Sequence, residues 1–248
     1  MLLNAIYVHY ETLVNEFTKT FIKDNRWKMF LTGLENTLII TLGAMVIGVI
    51  IGVVIAVVKY LSMQQDSTRK KSWHSVLLLI FEKLFTVYVA IMRGTPMAIQ
   101  LMIMSFIILS NVSNKILVAA IAFGLNSGAY VSEDIRAGIL SVDKGQMEAG
   151  RSLGFNRLRT MQLIIMPQAL KNILPALCNE GIALLKETSI CGLIAVMDLT
   201  RASDLVRSRT YSAFFPLISV AIIYFIITWF LTKGIGILEK RLAQSDRN

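Results

Sequence analysis

The chain has 248 residues, a formal net charge of +9 and a mean hydropathy of +0.62, with 55% hydrophobic and 17% charged residues. A soluble domain carries about 25% charged residues, so this composition excludes an ordinary soluble protein and predicts an integral membrane protein. The basic residues lie between apolar runs and form no stripe with interleaved aromatic residues, so we expect loop charges and no nucleic-acid partner. The two cysteines predict no disulfide framework, and two histidines are too few for a His-based metal site. The sequence has no G-x-x-x-x-G-K-S/T phosphate loop, so we expect no ATP or other cofactor bound by this chain.

Five apolar runs are long enough to cross a bilayer, because a spanning helix needs about 20 apolar residues. They predict an all-α membrane protein with spans at residues 34–58, 84–109, 116–135, 168–197 and 212–232. We assign residues 31–240 to the transmembrane domain and 241–248 to a cytoplasmic tail. Residues 1–30 mix apolar, aromatic and acidic residues at helical spacing, which predicts an amphipathic segment on the external membrane surface.

The distribution of lysine and arginine between the loops predicts the orientation of the chain. Fourteen of these residues fall in three segments that share one side, at 59–75, at 136–171 and from 233 onward. Eight fall in the segments of the opposite side. The more basic side is expected to be cytoplasmic, which places the N-terminus outside and the C-terminus inside.

The first two spans show one face suited to packing and one break. The first span has small residues four apart, and they form one smooth helical face for a closely packed neighbour: Ala44, Gly48, Gly52 and Ala56. The second span contains the sequence RGTP at 93–96, where Pro96 disfavours a continuous helix. A broken helix at membrane depth is tolerated where it lines protein or a water-filled cavity. Arg93 is then either a functional charge or a side chain that reaches the inner interface.

Polar residues follow one face of the third span and one stripe of the fourth. Asn126 and Glu133 are seven residues apart, and Asn126 lies roughly 16 Å along its helix, near the midplane. Glu180 lies about 20 Å into the fourth span, where a carboxylate is a functional-site hypothesis by default. A structural pair with Arg93 or Lys186 is the alternative. We predict a substrate pocket formed by Gln100, Asn126, Ser127, Asn179 and Glu180, and a gating or structural role for Arg93, Lys186 and Glu187.

The segment 141–166 is polar and lies between two apolar spans on the predicted cytoplasmic side. Ser141 or Asp143 can cap a first short helix, and Gly154 can end it. Asn156 can cap a second short helix before Pro167 opens the fourth span. A compact pair of helices with one apolar side favours docking into a protein groove over a patch on the membrane surface.

This segment resembles the EAA loop of the membrane subunits of ABC importers. The matching residues are Glu148, Ala149, Gly150, Gly154, Ile164 and Pro167, with Gly150 where alanine is usual. The sequences YVAIMRGTPMAIQ and ALLKETSI are similar to those of the polar amino acid branch, whose members carry histidine, glutamine, glutamate, arginine or opines. The resemblance covers residues 30 to 240.

The resemblance implies a type I permease with a five-helix core, paired as a homodimer or heterodimer in the cytoplasmic membrane of a prokaryote. ATP and Mg would be bound by a separate ATPase subunit, and an extracytoplasmic solute-binding protein would deliver the substrate. The chain itself would be a transport subunit and not an enzyme. By this resemblance the ATPase contact maps onto Glu148, Ala149, Gly150, Arg151, Ser152, Leu153 and Gly154.

The substrate class follows from the pocket residues together with this resemblance. Glu180 suits the ammonium of an amino acid, and a surplus carboxylate at the midplane favours cationic arginine, lysine or histidine over glutamate. An ion-coupled secondary amino acid carrier is the alternative function, and a membrane enzyme or scaffold is a third. The EAA-like loop distinguishes the first two, since a carrier has no use for a cytoplasmic dock at this position.

Overall fold

The computed structural model describes residues 2–63 and 73–244, and every regular element in these ranges is helical. In chain order the α-helices are α1 Leu2–Phe17, α2 Trp27–Met63, α3 Trp73–Gly94, α4 Met97–Ile103, α5 Lys115–Leu140, α6 Lys144–Ser152, α7 Arg157–Thr160, α8 Met166–Glu187, α9 Leu199–Thr210 and α10 Phe214–Gln244. Short π-helical segments extend α4 to Ile108 and join α7 to α8, and a 3₁₀ segment follows α8 to Ile194. The predicted all-α fold is confirmed.

Within the described ranges, α2, α3, α5 and α10 are long and apolar enough to cross a membrane. Helix α8 is 22 residues long, but its polar stripe makes it less apolar than these four. Several helix bounds differ from the predicted spans. Helix α3 begins at Trp73 and not near residue 84, because its helix continues through the charged pair before that position. The α-helix of the fourth span ends at Glu187, where the backbone tightens into the 3₁₀ segment.

The centre of the bundle is the close pairing of α2 with α5. The small residues predicted to form a smooth face on α2 are all buried, which confirms that prediction: Ala44, Gly48, Gly52 and Ala56. A Cβ atom at Gly128 of α5 would lie 2.7 Å from Ile51 Cγ2, so each helix supplies glycines where the other places a side chain. Such small-residue contacts let helix backbones approach closely in a membrane. Helix α5 is therefore the buried axis around which the other helices pack.

The connection from α8 to α10 is fastened to the start of α2. Asp198 is fully buried and caps α9, where its carboxylate accepts hydrogen bonds from Thr200 N and Arg201 N. Asn36 Nδ2 of α2 donates to Met197 O at 2.8 Å. A Cβ atom at Gly33 would lie 2.7 Å from Asp198 O, so only glycine allows this approach. These contacts fix the short helix α9 against the end of the bundle that we predict to be external.

The predicted amphipathic segment at the N-terminus contains a helix that contacts the start of α10. Glu16 Oε2 of α1 accepts a hydrogen bond from Ser212 Oγ at 3.1 Å. The Phe17 ring lies 5.9 Å from the Phe215 ring in an edge-on arrangement. Its position on the external membrane surface stays a prediction. In the predicted tail, residues 245–248 lie outside the described ranges.

Candidate functional site

The segment between α5 and α8, which we predict to be cytoplasmic, folds as the two short helices that the sequence predicts. Asp143 Oδ1 caps α6 by accepting a hydrogen bond from Gly145 N at 2.6 Å. Asn156 Oδ1 caps α7 by accepting from Arg159 N at 2.8 Å. Gly154 lies between them with a φ of 86°, a left-handed conformation that favours glycine. We call residues 141–166 the cytoplasmic hairpin.

The predicted ATPase-contact residues divide between the outer and inner faces of the cytoplasmic hairpin. Six of them are exposed: Glu148, Ala149, Arg151, Ser152, Leu153 and Gly154. Leu153 is the most prominent, with 75% of its surface exposed. Gly150 instead is buried, and a Cβ atom there would lie 2.5 Å from Thr160 Cγ2. The departure from alanine at this position is therefore a packing requirement between the two arms of the hairpin, and not a neutral exchange on its outer face.

The break in the second predicted span lies between α3 and α4, where Thr95 and Pro96 leave the helical path. Gln100 Nε2 donates to Met92 O at 2.9 Å and to Thr95 Oγ1 at 2.8 Å, so it reaches back across the break. Asn126 Nδ2 of α5 donates to Met92 O at 3.0 Å and to Gln100 Oε1 at 2.9 Å. Met92 O, a carbonyl oxygen near the end of α3, is thereby satisfied twice, as a membrane interior favours.

The structure thus brings Gln100 and Asn126 together, but their amide donors are already engaged by the protein. We call Gln100, Asn126, Met92 O and Thr95 the break cluster. Its hydrogen bonds explain why these two amides are needed without any substrate. The sequence signal was correct about proximity, since both residues lie at similar depth. It gave no sign that the backbone of the break would use the amides.

Ser127 and Glu180 form a second polar pair on the other side of α5. Ser127 is fully buried, and its hydroxyl makes no well-aligned hydrogen bond with a described residue. The Glu180 carboxylate of α8 lies within interaction range of that hydroxyl. Across from them, a Cβ atom at Gly48 would lie 2.8 Å from Ser127 Oγ. We call Ser127 and Glu180 the open pair, because the Ser127 hydroxyl has capacity for a further partner.

Negative charge is concentrated around the open pair. Glu187 and Asp134 are the other acids whose charges act on Glu180. Lys186 acts on the neighbouring Glu187. On the same stripe of α8, Asn179, Lys186 and Glu187 are exposed. The stripe therefore faces outward from the single chain with an acidic centre.

Arg93 lies at a separate ion cluster near the inner end of α5. Its Nη1 is 3.9 Å from Glu133 Oε2, and its guanidinium lies over the Tyr130 ring at 5.2 Å. Glu133 also binds Lys59 of α2 at 3.0 Å and Arg136 at 2.8 Å. No structural pair of Arg93 with Glu180 forms among the described residues. We call Glu133 and its three cations the inner ion cluster.

The sequence reasoning missed Lys59 and Arg136 as members of this cluster. The spacing of Glu133 and Arg136 by three residues on one helix was visible and predicts an ion pair. Lys59 was not detectable, because its partner lies 74 residues away in the chain. The hydrogen bond from the Tyr88 hydroxyl to Leu125 O beside the break was equally invisible.

The helical bundle, its broken helix, its acidic polar stripe and its two-helix cytoplasmic hairpin together define a membrane permease. Residues 76–244 match the family model of the binding-protein-dependent transport system inner membrane component. The chain belongs to this family. It is an amino acid permease subunit of a bacterial ABC transporter, a multi-pass protein of the inner membrane.

Known relatives and structures agree on the class of transporter. The chain is 43% identical to a putative glutamine transport system permease protein of Rickettsia bellii, over 85% of this chain and 93% of that protein. It is 36% identical to an arginine transport system permease protein of Bacillus subtilis, over 87% and 93%. A crystal structure of an amino acid ABC transporter with histidines matches with a TM-score of 0.77 and 38% identity, over 89% of this chain and 98% of that one. The predicted resemblance is confirmed.

Proposed function

We propose that this permease imports a polar amino acid, with cationic arginine, lysine and histidine favoured, and that Glu180 binds the substrate's ammonium. The observation that carries this proposal is the open pair, which places a carboxylate beside a buried hydroxyl with unused bonding capacity. A charge at such depth is expensive unless it has a partner or a function. Ser127 adds a hydroxyl beside it, and Asn179 adds an exposed amide on the same helix.

The preference for a cation rests on the charges around Glu180. Two further acids act on it, so a substrate with a second positive group would relieve their mutual repulsion. Relatives of this chain support the amino acid class, since they include glutamine, arginine and L-cystine permeases. The solved transporter with histidines supports it as well. Gln100 and Asn126 shape this site by holding the break, and they are positioning residues in the proposal.

The exposed stripe of α8 supports a paired arrangement of permeases. Lys186 and Glu187 are exposed on the single chain. Their helix, α8, lies in the sequence between the membrane-spanning helices α5 and α10. A second permease, either a copy or a related chain, would shield these charges from lipid and enclose a path between the two stripes. In this arrangement the N-terminus is external and the C-terminus cytoplasmic.

The cytoplasmic hairpin is proposed as the contact for a separate ATPase subunit, which binds ATP and Mg. Leu153 is a bare apolar side chain at its tip, and an apolar anchor of this kind suits a pocket in a partner protein. The buried Gly150 contact keeps the two arms rigid, so that a displacement of the tip is passed to α8. A solute-binding protein on the opposite side delivers the amino acid.

The test of the substrate site is Glu180→Gln in the assembled transporter. We expect at least a tenfold loss of uptake of radiolabelled arginine, lysine or histidine, with assembly unchanged. Glu239→Gln, an exposed glutamate on α10, is the control and should leave uptake unchanged. Normal uptake by Glu180→Gln would remove this carboxylate from the pocket. Uptake of only neutral amino acids by the wild type would overturn the cationic preference.

The test of the coupling contact is Leu153→Glu, which places a charge on the proposed anchor. We expect substrate-stimulated ATP hydrolysis and uptake to be lost together, because the ATPase no longer seats on the hairpin. Gln162→Glu adds the same charge at an exposed position further along and serves as the control. A secondary carrier driven by an ion gradient would transport normally with either change.

A further inference from the structure

Two adjoining apolar cavities lie between α2, α5 and the start of α8, close to the inner ion cluster. The larger, about 200 Å³, runs along Val53, Val57 and Leu170. The smaller cavity has a volume of about 150 Å³, and Leu140 is one of the residues that line it. They share Ala56, Tyr60 and Ile139, so they form one continuous cleft. We call this the inner cleft.

The inner cleft opens onto an apolar surface. Val53 is 44% exposed, Val57 50%, Leu170 42% and Leu140 61%. These residues belong to membrane helices, so their exposed faces lie where acyl chains pack in the bilayer. The residues of α2 that line the cleft run from Val53 to Met63, roughly 15 Å along the helix, a length that suits a hydrocarbon chain better than a compact solute.

The mouth of the inner cleft is basic. Lys59 and Arg136 both line the smaller cavity. They share the single carboxylate of Glu133, at 3.0 Å and 2.8 Å, and Arg93 approaches the same carboxylate at 3.9 Å. Asp134 is a further acid that interacts with Arg93. Three cations against two acids leave a net positive charge at the mouth.

We propose that the inner cleft is a binding site for an anionic phospholipid of the cytoplasmic leaflet. The headgroup phosphate lies between Lys59 and Arg136, and one acyl chain fills the apolar cleft beneath them. Basic pockets between membrane helices on the cytoplasmic side are suited to anionic headgroups. The site is separate from the open pair, and it makes the lipid a ligand that ties α2 to α5 at their inner ends.

The charge at the mouth favours a lipid over a second protein chain. A second permease that covered the cleft would bury Lys59 and Arg136 with one shared carboxylate, and an incompletely neutralised buried charge is strongly unfavourable. An anionic headgroup supplies the missing negative charge and leaves the mouth in contact with water. A free phosphate would satisfy the cations but leave the apolar cleft unoccupied.

The headgroup is tested by native mass spectrometry of the full-length chain with its assembled subunits. Dioleoylphosphatidylglycerol and dioleoylphosphatidylcholine are added in turn, and the wild type should retain the first in preference. Lys59→Gln should weaken that preference about fivefold, the factor that corresponds to one cation near a membrane surface. Lys233→Gln is the control, since Lys233 is an exposed lysine on α10 that lies over Trp229. Equal retention of both lipids by the wild type would overturn the proposal.

The acyl chain is tested by a pair of substitutions that leave every charge in place. Val57→Trp fills the larger cavity, whereas Val54→Trp changes a valine of equal exposure, 50%, that lines neither cavity. We expect Val57→Trp to reduce retention of dioleoylphosphatidylglycerol at least fivefold and Val54→Trp to leave it unchanged. This pair also decides the question if Lys59→Gln fails to fold, because Lys59 pairs with Glu133.

Two results would identify a different occupant and contradict the proposal. If inorganic phosphate at millimolar concentration displaces the phospholipid completely, the site binds a free anion. If Val57→Trp changes the oligomeric state of the complex without changing lipid retention, the inner cleft is covered by a second copy of the chain.

Discussion

Asn126 and Ser127 are neighbours on α5, yet they have opposite relations to their surroundings. Asn126 turns toward the break between α3 and α4, where its amide donates two hydrogen bonds to the protein. Ser127 turns toward α2 and α8, where its buried hydroxyl has no well-aligned partner in the part of the chain that the structure describes. The break cluster is closed and the pair with Glu180 is open. Polarity inside a membrane therefore has two meanings here: one set of groups repairs the backbone, and the other is available to a ligand.

Among the changes that test this contrast, we expect Asn126→Leu to have the largest effect on stability. It removes both donated hydrogen bonds, leaves Gln100 Oε1 without its donor from Asn126, and leaves Met92 O with the Gln100 donor alone. We expect a loss of about 2 kcal/mol in the free energy of unfolding, between the values for buried unsatisfied groups and for interhelical hydrogen bonds in membranes. Reversible unfolding in mixed micelles measures it. Asn111→Leu in an exposed turn is the control, and an equal loss there would show that the break cluster adds nothing.

A smaller effect is expected from Gly48→Ala, which brings a methyl group to the open pair. The new Cβ atom would lie 2.8 Å from Ser127 Oγ and 2.9 Å from Ser127 Cβ, so α2 and α5 must separate. Overpacking of this kind costs about 1.5 kcal/mol. Gly234→Ala on α10 meets open space and should leave the free energy of unfolding unchanged or raise it. Equal midpoints for the two variants in the same unfolding assay would contradict the tight α2–α5 contact.

The cytoplasmic hairpin repeats the contrast, with Gly150 on its closed face and Leu153 on its open one. Gly150→Ala should destabilise the hairpin by about 1 kcal/mol, because the methyl group meets Thr160 Cγ2. Thr160→Ser removes that carbon and keeps the hydroxyl that donates to Asn156 O. Hydrogen exchange of α6 and α7 measures both variants and their combination. We expect the double variant to recover about half of the loss, and strict additivity would argue against the contact.

Much of the fold could be predicted because its signals are local or periodic. The small-residue face of α2, the break at Pro96 and the caps Asp143 and Asn156 depend on residue type and spacing alone. The partner of Lys59 could not be predicted, because it depends on how α2 and α5 are aligned along each other. The burial of Gly150 could not be predicted either, because it depends on the angle between the two arms of the hairpin.

The predicted substrate pocket shows most clearly what the spacing of polar residues along a helix cannot predict. Gln100, Asn126 and Ser127 share depth and polarity in the sequence, so a single pocket was the natural hypothesis. A rotation of 100° per residue separates Asn126 from Ser127 on their helix, and the two side chains serve different neighbours. The sequence predicts how deep these residues lie in the membrane. Only the packing of α3, α4 and α8 around α5 determines which amide already donates hydrogen bonds to the protein.

The smallest change in stability and the most specific change in function are expected from Ser127→Ala. Because the hydroxyl forms no well-aligned bond, its removal should alter the free energy of unfolding by less than about 0.5 kcal/mol. If the open pair binds substrate, the same change should raise the KM for uptake several-fold and leave the maximal rate nearly intact. Stability and uptake measured on one preparation separate the two effects. A variant that loses stability but keeps its KM would make Ser127 a packing residue and would close the pair that we describe as open.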